Sequence, residues 1–560
     1  MLVLTLFALF SLFHGLNSEP VDANGITLSE KIEALERQIL NPTTLVFVVT
    51  PCSINSNDNP NRGEQTSAEW VRIVFHDMIT ANIEGPGLGG IDASIGFESD
   101  RPENIGIFIN VTLAQSLPVS QFSQFSSVFL SMSDLIAVGL ADALATCDPT
   151  VRRLPLRVGR IDATQAGPSG VPTPSDTLEF ATAAFARAGF NQSEMIQAVA
   201  CGHSLGGVHH TNFPDIGLFY DPVYDMDADS RVIVPDLGES NNTDGRSPFD
   251  STPAVFDDTG VNEYLSGTGL QGGPLVVGPE ATRSDLRIFS SDDNVTISAM
   301  ASPQSFEDTC FTIFEKMLNT VPSVVTLSDP IVPRPWILRV SQLDLNSSGV
   351  VSFSGTITGH SSDPLPATAS YTYETAGGSN TGIKTSQIGV PYPVLDNTPI
   401  GFGTITDYAF NDTIDSSITS INLESSYSAP INQNIFIIFS QSFRNPVIAS
   451  VTVKQQYVIR VAILSTLIPA GSVLSAKLWW PAPQAGTVVP KIDNVSATMN
   501  FKATIHSYSV YEATISVGDG VTGMPSGTST FQVTLGTTQA SAKVDPSTWS
   551  ICTNADLTTC

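Results

Sequence analysis

The spacing of hydrophobic positions changes along the chain and divides it into two parts. From residue 28 to about residue 319, apolar residues recur at helical spacing between loops rich in Gly and Pro. The clearest of these runs predict helices over residues 67–79, 131–145, 177–189 and 192–200. The first part of the chain is therefore predicted to be mainly helical.

The pattern becomes strand-like after a proline-rich segment, residues 321–335, which is predicted to be a linker. Beyond it the chain is rich in Ser, Thr, Val and Ile, in short alternating runs separated by turn residues. Examples are residues 350–357, 434–439, 451–461 and 497–508. Such alternation is typical of an all-β, sandwich-like domain. The predicted architecture is a mainly α domain over residues 19–330 followed by a β domain over residues 331–560.

Composition agrees with two folded domains. The chain has 560 residues, of which 41% are hydrophobic and 14% charged, so it has enough apolar material for two cores and does not resemble a disordered protein. Asp and Glu number 54 against 25 Lys and Arg, giving a formal net charge of -29. Such a surface repels nucleic acid and anionic membranes. It fits a protein of acidic extracellular surroundings, a protein with cation sites, or simple solubility.

Several features predict secretion. Residues 2–16 form an apolar run that is too short to span a membrane, so residues 1–18 are predicted to be a signal peptide, although no basic residue precedes the run. Seven glycosylation sequons are spread over both halves, at Asn110, Asn191, Asn241, Asn294, Asn346, Asn411 and Asn494. The six cysteines, an even number, favour disulfide bonds. We predict an extracellular glycoprotein without a membrane span.

The first candidate chemistry is the pair Arg72 and His76, which lie four residues apart and therefore share one face of the predicted helix. An imidazole can take a proton from a bound peroxide and return it to the leaving oxygen. A guanidinium can stabilise the negative charge that develops as the O–O bond breaks. Taken alone, such a pair is more often a surface pair, so the interpretation depends on further motifs.

Those motifs resemble the plant-type haem peroxidase superfamily, and its secreted fungal branch in particular. The family's distal-helix pattern is present here as Arg72, Phe75, His76 and Asp77. A Gly-x-Asp-x-Ser loop follows at residues 90–94, and then Glu98 and Asn104 keep the family's spacing. The resemblance implies that Asn104 accepts the Nδ1–H of the distal histidine and leaves its Nε2 facing the peroxide. Phe75, where intracellular members have Trp, indicates the secreted type.

The proximal side of the family is matched as well. Residues 202–206 read Gly-His-Ser-Leu-Gly, and the resemblance makes His203 the fifth ligand of the haem iron. Without context, a lone histidine is more often a core residue. Residues 156–163 and 171–174 also resemble the family at this place. In the segment 283–286, Asp285 is expected to accept the Nδ1–H of His203 and make the imidazole more electron-donating.

The resemblance also implies two calcium ions, because the acidic loops offer the hard oxygen ligands that calcium prefers. The first would be bound by Asp77, Gly90 (through its carbonyl), Asp92 and Ser94. The second would be bound by Ser204, Asp250, Thr252, Val255 (through its carbonyl) and Asp257. The alternative is that these aspartates only cap turns. Together the motifs cover roughly residues 40–320 and imply haem b, reduction of hydrogen peroxide through compound I, and oxidation of a small reducing substrate of phenolic type.

Departures from the family narrow the substrate. Ligninolytic relatives have a surface Trp five residues before the proximal histidine, where this chain has Ala198. Manganese-oxidising relatives have three acids at the positions of Gln65, Glu69 and His209, so the usual manganese site is not expected. The adjacent His209 and His210 would either bind a metal differently or have no such role.

The cysteines depart from the family too. The one that normally precedes the distal arginine is missing, and Cys52 is a candidate to replace it as the partner of Cys147. Cys201 has no counterpart and no explanation from sequence. Cys552 and Cys560 are close enough for a short terminal loop.

The β domain matches no family that its sequence identifies. Trp479 and Trp480 are either an exposed platform for wall polysaccharide or, more in keeping with a sandwich, a buried pair. Two functions therefore remain: an active secreted peroxidase, or a secreted cell-wall or carbohydrate-binding protein with a catalytically minor haem domain. The presence of both histidines together with Arg72, Asn104 and Asp285 favours the first.

Overall fold

The computed structural model describes residues 21–551 with gaps. The gaps are residues 23, 41–51, 53–64, 86–88, 106–125, 149, 151, 210–212, 214, 215, 217–245, 379, 380, 386, 389–402, 424–426, 450, 451, 469–471, 483, 488, 518–528, 536, 537 and 545–549. The predicted signal peptide, the sequons at Asn110 and Asn241, His210, and the pair Cys552 and Cys560 lie outside the described residues.

The described part before residue 320 is helical, as predicted. Its helices are α1 (Leu28–Ile39), α2 (Thr66–Met78), α3 (Met132–Cys147), α4 (Leu178–Arg187), α5 (Gln192–Gly202), α6 (Thr259–Ser266), α7 (Pro274–Val277), α8 (Ser284–Phe289), α9 (Val295–Ala299) and α10 (Pro303–Asn319). The four helices predicted from periodicity are α2 to α5, with ends within two residues. A short two-stranded sheet joins β1 (Gly207–His209) to β2 (Arg246–Pro248).

Local sequence explains where these helices begin. Thr27 and Asn191 each cap a helix through a reciprocal capping box with the Glu three residues later. Ser131 caps α3, and the carboxylate of Asp162 accepts two further backbone N–H groups of its first turn, from Met132 and Ser133, both at 2.8 Å. The caps by Thr27, Ser131 and Asn191 are local, whereas Asp162 reaches the start of α3 from about 30 residues away.

Helix α3 is the centre of this region, since nearly all of its residues are buried. It packs closely on α2, where the fully buried ring of Trp70 lies against Gly139. A Cβ at position 139 would come within 2.4 Å of that ring, so only glycine permits this approach. The opposite face of α2 is thereby left to line a cavity.

The part after residue 336 is all-β, which confirms the predicted fold class. Its strands are β3 (Trp336–Leu345), β4 (Val351–Ser361), β5 (Ser370–Thr375), β6 (Lys384–Thr385), β7 (Gln387–Ile388), β8 (Thr404–Ile414), β9 (Ile418–Leu423), β10 (Tyr427–Pro430), β11 (Ile435–Ile437), β12 (Phe443–Ala449), β13 (Thr452–Leu464), β14 (Ser475–Ala482), β15 (Lys491–Thr498), β16 (Asn500–Ile505), β17 (Tyr508–Val517), β18 (Ser529–Leu535), β19 (Thr538–Val544) and β20 (Ser550–Ile551).

These strands form two sheet-on-sheet cores. Sheets of order β3-β4-β8-β7 and β10-β9-β5-β6 enclose the first core, around Phe353, Tyr373 and Ile421. A six-stranded sheet, with the path β16-β17-β13-β12-β20 and β11 beside β13, encloses the second core with the sheet β15-β14-β18-β19. The neighbouring pairs are antiparallel, except β12 with β20. The second part therefore contains two sandwich-like cores, whereas the sequence predicted one sandwich-like domain.

The alternating run over residues 497–508 does not correspond to one strand. It covers the end of β15, all of β16 and the first residue of β17. Between β15 and β16 the chain changes sheets at the buried Met499, and between β16 and β17 it turns at His506, whose φ is 51°. Alternation of apolar and polar residues continues through Met499 as far as Ile505, so the pattern does not reveal the change of sheet.

The linker has no regular structure, as expected, but it is not a free tether. Ser328 N–H donates to the carbonyl of Val158 (2.9 Å), and Ile331 N–H donates to that of Leu156 (2.8 Å). Val489 of the β part is almost fully buried in the helical core, and the hydroxyl of Thr487 donates to the Gly96 carbonyl (2.9 Å). The two parts are thus packed against one another.

This packing decides between the two interpretations of Trp479 and Trp480 that the sequence left open, an exposed platform and a buried pair. Trp480 is buried in the second β core, and Trp479 packs on Ile26, Val128 and Phe129 of the helical part. The pair does not form an exposed platform. Among the described residues, no helix combines the length and apolarity needed to cross a bilayer.

An ion pair between a buried carboxylate and a partly exposed guanidinium also joins the two parts, and it gives a stability prediction. Glu36 of α1 is buried, and its carboxylate accepts hydrogen bonds from the backbone N–H and guanidinium of Arg334. Arg334→Met would leave that carboxylate buried without its cation. We expect the free energy of unfolding to fall by about 3 kcal/mol, because a buried charge is strongly destabilising once its partner is removed.

Thermal and denaturant unfolding followed by circular dichroism would measure this loss. The double variant Glu36→Gln/Arg334→Met should recover most of it, since no buried charge remains. Arg152→Met is the matched control: its partners Glu307 and Asp308 lie at the surface, so its effect should stay within about 1 kcal/mol. Equal losses for Arg334→Met and Arg152→Met would contradict the prediction.

Candidate active site

A cavity of about 250 Å³ brings together the two histidines that the sequence singled out. His76 reaches it from α2, and His203 reaches it from the C-terminal end of α5. Arg72 and Phe75 line it from the same face of α2 as His76. The remaining walls are largely apolar and include Pro172, Leu205, Phe213, Phe249 and Ile288.

His76 is held by a two-step hydrogen-bond relay. Asn104, at the end of a short 3-10 helix, accepts from the imidazole Nδ1 through its Oδ1 at 2.8 Å. The amide of Asn104 in turn donates to the carbonyl of Glu98 at 2.9 Å. Because its NH₂ group is used there, its oxygen must face His76. The contact expected between Asn104 and His76 is therefore confirmed.

The protonation state of His76 follows from its surroundings. Burial and the nearby charge of Arg72 together lower the pKa of His76 to about 3, although the hydrogen bond to Asn104 opposes them. The imidazole is therefore neutral at ordinary pH. With Nδ1–H directed to Asn104, Nε2 is the atom left to accept a proton in the cavity.

Arg72 places a permanent positive charge one helical turn from His76. Its Nη2 donates to the carbonyl of Ile105 at 3.0 Å, and its guanidinium carbon lies 5.7 Å from the centre of the Phe213 ring. The side chain is thus directed toward the cavity. A cation at this position can stabilise negative charge on a molecule bound next to His76.

His203 is fixed on two sides. Its Nδ1–H donates to Asp285 Oδ2 at 2.7 Å, and the other oxygen of that buried carboxylate accepts from Ser284 Oγ at 3.0 Å. The ring of Phe249 stacks on the imidazole, with 4.3 Å between centroids and 13° between planes. The expected bond to Asp285 is confirmed, and His203 Nε2 is the nitrogen left for the cavity.

Two residues of the cavity were not assigned a role from sequence. Phe249 stood inside a loop motif whose aspartates drew attention, and its stacking depends on the pairing of β1 with β2. Arg287 donates from Nη2 to the carbonyls of Pro174 (2.6 Å) and Asp176 (2.9 Å), so it holds the cavity loop against α8. Neither contact has a local sequence signal, because both partners are distant in the chain.

The predicted first calcium loop surrounds a buried carboxylate. Asp77 is fully buried and accepts from the backbone N–H groups of Asp92 (3.1 Å), Ala93 (2.9 Å) and Ile95 (3.0 Å). Burial and the adjacent charge of Asp92 raise the pKa of Asp77 well above its usual range. The loop also brings Ser94 Oγ to 3.3 Å from Asp77.

Glycine is required at position 90 of this loop by the backbone conformation and by a close neighbouring carbonyl. Its φ is 101°, and a Cβ there would come within 2.8 Å of the carbonyl of Thr320. The N–H of Ile91 donates to the same carbonyl at 2.8 Å. Glycine thus allows the loop to lie directly against the end of α10, next to Asp77 and Asp92.

The predicted second calcium loop has an unpartnered oxygen. Asp250 is fully buried, and its Oδ1 accepts from the N–H of Thr252 at 2.9 Å, whereas its Oδ2 has no hydrogen-bond partner. Burial, with the charges of Asp257 and Glu263, raises the pKa of Asp250 to about 7. Thr252 also donates to Asp257 at 3.0 Å.

The remaining predicted ligands of this second group are placed by the backbone. The N–H of Val255 donates to the Thr252 carbonyl at 2.9 Å, which closes a turn. The pairing of β1 with β2, and a bond from Gly206 N–H to the Pro253 carbonyl at 3.1 Å, bring residues after His203 beside the loop. Ser204 Oγ itself donates to the Cys201 carbonyl at 2.9 Å.

The structure also shows the surroundings of the residues that depart from the family pattern. Ala198 is buried in α5, and Gln65 is buried with its amide donating to the Cys52 carbonyl at 2.8 Å. Glu69 and His209 both line the cavity. Within the described residues, no group of three or more His, Cys, Asp or Glu side chains is arranged to hold a metal ion.

Comparison with known proteins agrees with this geometry. Residues 55–302, which carry both histidines, match the model of the peroxidase family. This part of the chain belongs to the peroxidase family. The peroxidase region includes α2 to α9, whereas the β part lies outside the match.

Individual relatives each match part of the chain. A WSC domain-containing protein of Arthroderma benhamiae is 40% identical over 316 residues, which are 55% of this chain and 39% of that protein. Manganese peroxidase 3 of Phlebia radiata is 29% identical over 225 residues, 38% of this chain and 51% of its own length. A peroxidase of Arthromyces ramosus is 29% identical over 214 residues, 36% of this chain and 48% of its own. The chain thus spans about half or less of each of these relatives.

Proposed function

We propose that this chain is a secreted haem peroxidase that reduces hydrogen peroxide and oxidises a small organic donor of phenolic type. The observation that carries the proposal is the pair of histidines at one cavity. Each has its Nδ1–H directed away, to Asn104 or to Asp285, so each keeps Nε2 for the cavity. Membership of the peroxidase family supports the reaction class.

The cavity fits haem b by the chemistry of its lining. A flat apolar macrocycle needs apolar walls, which Pro172, Leu205 and Ile288 supply. Its iron would need an imidazole ligand with a fixed tautomer, and the bond to Asp285 fixes the tautomer of His203. His203 would therefore be the protein ligand, with Phe75 on the opposite, distal side.

When bound, the haem would supply the iron centre that accepts two electron equivalents from the donor and delivers them to peroxide. The residues of the chain handle the protons. His76 Nε2, neutral because its pKa is low, would take a proton from one oxygen of the bound peroxide and return it to the other, which leaves as water when the O–O bond breaks. Arg72 would stabilise the negative charge on that departing oxygen. The remaining oxygen would become the second water, with the two electrons of the donor and two further protons.

The lining bears on the choice of donor. A buried alanine at position 198 removes the surface tryptophan route, and the buried Gln65 binds the Cys52 backbone rather than offering a carboxylate beside Glu69. We therefore propose that the donor is oxidised at the cavity itself. Its reduction potential would be low enough that no radical on a surface tryptophan is required. Neither manganese nor lignin is proposed as the substrate.

We also propose two calcium ions, bound by the residues that the sequence assigned. Asp77 and Asp92 are adjacent buried carboxylates: burial raises the pKa of both, and the charge of Asp92 also raises that of Asp77, so a divalent cation would stabilise their ionised forms. On the proximal side, a cation would likewise provide a partner for Asp250 Oδ2, which has no hydrogen bond. Hydroxyl and carbonyl oxygens of the loops would complete the hard ligand sets.

Secretion is supported by the disulfide bonds Cys52–Cys147 and Cys201–Cys310, since such bonds persist in oxidising compartments. The first of these is the pairing proposed from sequence, and it is confirmed. Four of the described sequon asparagines are exposed, namely Asn191, Asn346, Asn411 and Asn494. We propose residues 19–330 as the catalytic domain and residues 331–560 as a docked β domain without an assigned ligand.

The first test concerns peroxide cleavage. The purified protein reconstituted with haem should show a Soret band that shifts when peroxide is added. His76→Ala and Arg72→Leu should each retain the band but slow the peroxide-dependent shift roughly 100-fold or more, because each removes a proton-transfer or charge-stabilising group. Stopped-flow absorbance measures the rate.

Arg152→Leu, which removes a surface arginine, is the control and should react like the parent. A parent protein that binds haem but does not react with peroxide would favour the alternative, a secreted wall or carbohydrate-binding protein with a catalytically minor haem domain. A protein without any haem band would overturn the proposal.

The second test concerns calcium. Removing calcium with a chelator should lower the melting temperature, and re-adding it at 100 times its dissociation constant should restore about 2.7 kcal/mol per site. Asp250→Asn should lose the part of this stabilisation that belongs to the proximal site. Asp258→Asn, which changes a neighbouring carboxylate outside the proposed ligand set, should keep it. If calcium does not change the melting temperature of the parent, the calcium proposal is wrong.

A further inference from the structure

A disulfide bond lies beside the proximal histidine. It joins Cys201 of α5 to Cys310 of α10, and both cysteines are fully buried. Cys201 precedes His203 by two residues and had no counterpart in the family pattern, so the sequence offered no reason for it. In the structure the disulfide is the covalent link between the helix that presents His203 and α10, the last helix before the linker.

The backbone around His203 forms one hydrogen-bonded unit with Cys201. The N–H of His203 donates to the carbonyl of Val199 at 2.9 Å. The hydroxyl of Ser204 donates to the carbonyl of Cys201 at 2.9 Å. A shift of Cys201 along or away from α5 would therefore move His203 as well.

The other end of the disulfide is firmly anchored. In α10, Phe306, Phe311 and Phe314 all contact the ring of Phe256, with centroid distances of 5.3, 6.1 and 6.0 Å. Cys310 lies between these residues and is fully buried with them in the helical core. The cross-link thus ties the backbone that carries His203 to a tightly packed part of the domain.

The known contacts of the imidazole fix its ring but not the position of its backbone. Asp285 orients the ring by a hydrogen bond, and Phe249 covers its face. Both would allow the end of α5 to move if the helix shifted as a whole. The disulfide restricts this remaining movement of the end of α5.

We propose that the Cys201–Cys310 bond is a positioning element for the proximal ligand, which holds the end of α5 so that His203 Nε2 stays at bonding distance from the haem iron. The inference rests on the proposed haem site. Neither cysteine touches the reacting groups, and the effect passes through the backbone of α5 to His203.

The chain contains a matched control for this inference. The second disulfide, Cys52–Cys147, joins the segment before α2 to the end of α3. The two bonds have similar sequence separations, 95 for the control and 109 for Cys201–Cys310. They should therefore constrain the unfolded chain to a similar extent, and their removal should cost similar stability. Only Cys201–Cys310 is attached to the helix that presents the proposed iron ligand.

The test compares Cys201→Ala/Cys310→Ala with Cys52→Ala/Cys147→Ala in the full chain reconstituted with haem. Both should lower the melting temperature by similar amounts. Only Cys201→Ala/Cys310→Ala should shift the iron–histidine stretching band of the ferrous protein to lower frequency in resonance Raman spectra. It should also release haem to an excess of apomyoglobin roughly 10-fold faster or more, since groups that support a metal ligand are worth 10–100-fold in affinity.

Each outcome is decisive. If the parent shows the iron–histidine band and both double variants keep it unchanged with equal haem release, the positioning role is wrong while the haem site stands. If the parent has no haem-linked band, the proposed function itself fails. Cys201→Ala/Cys310→Val, which retains more apolar volume, is the second variant should the alanine pair not fold. It must show the same shift and faster release, and an unchanged band there would equally overturn the inference.

Discussion

The candidate site depends on one kind of interaction, the hydrogen bond from the Nδ1 of each histidine to an acceptor behind it. Asn104 holds His76 and Asp285 holds His203, and each acceptor is itself fixed by another bond. A histidine ring rotates and changes tautomer readily when nothing fixes it. These bonds decide which nitrogen is protonated, and they leave Nε2 of both rings for the cavity. The two acceptors differ in a meaningful way, because a neutral amide keeps the distal ring a base, whereas a carboxylate makes the proximal ring a stronger donor.

Packing behind the histidines supports that arrangement. The close approach of Trp70 to Gly139 fixes α2 against α3, so the distal face cannot rotate away from the cavity. On the other side, α5 is fastened to α10 by a covalent bond. The distal groups are thus placed by shape complementarity in the core, and the proximal group by a cross-link in addition to packing.

The β part is joined to this framework more intimately than a linker of fifteen residues would require. The ion pair between the buried Glu36 and Arg334 crosses the junction, and Val489 enters the helical core. Thr487 bonds the carbonyl of Gly96, which lies between the predicted calcium ligand Ser94 and Glu98, the residue that orients Asn104. The β part therefore contacts the segment that supports the distal site, which gives it a structural connection to the cavity whatever else it binds.

Much of the site was predictable because its signals are local. The four-residue spacing of Arg72 and His76 puts them on one helix face. The resemblance to the peroxidase family implied the contacts of His76 with Asn104 and of His203 with Asp285. The β fold class was also predictable, since alternation needs only short stretches. The sheet change at Met499 was not, because alternation runs on through it.

The sequence alone determined the residue types of the site, their order and the helices that present them, since caps and periodicity act within a few residues of chain. The tertiary structure alone decided what depends on residues far apart: the pairing of Cys201 with Cys310, the stacking of Phe249 on His203, and the burial of Trp479 between the two parts. Such contacts leave no periodic trace, because each partner is chosen by the packing of whole elements and not by its neighbours in sequence.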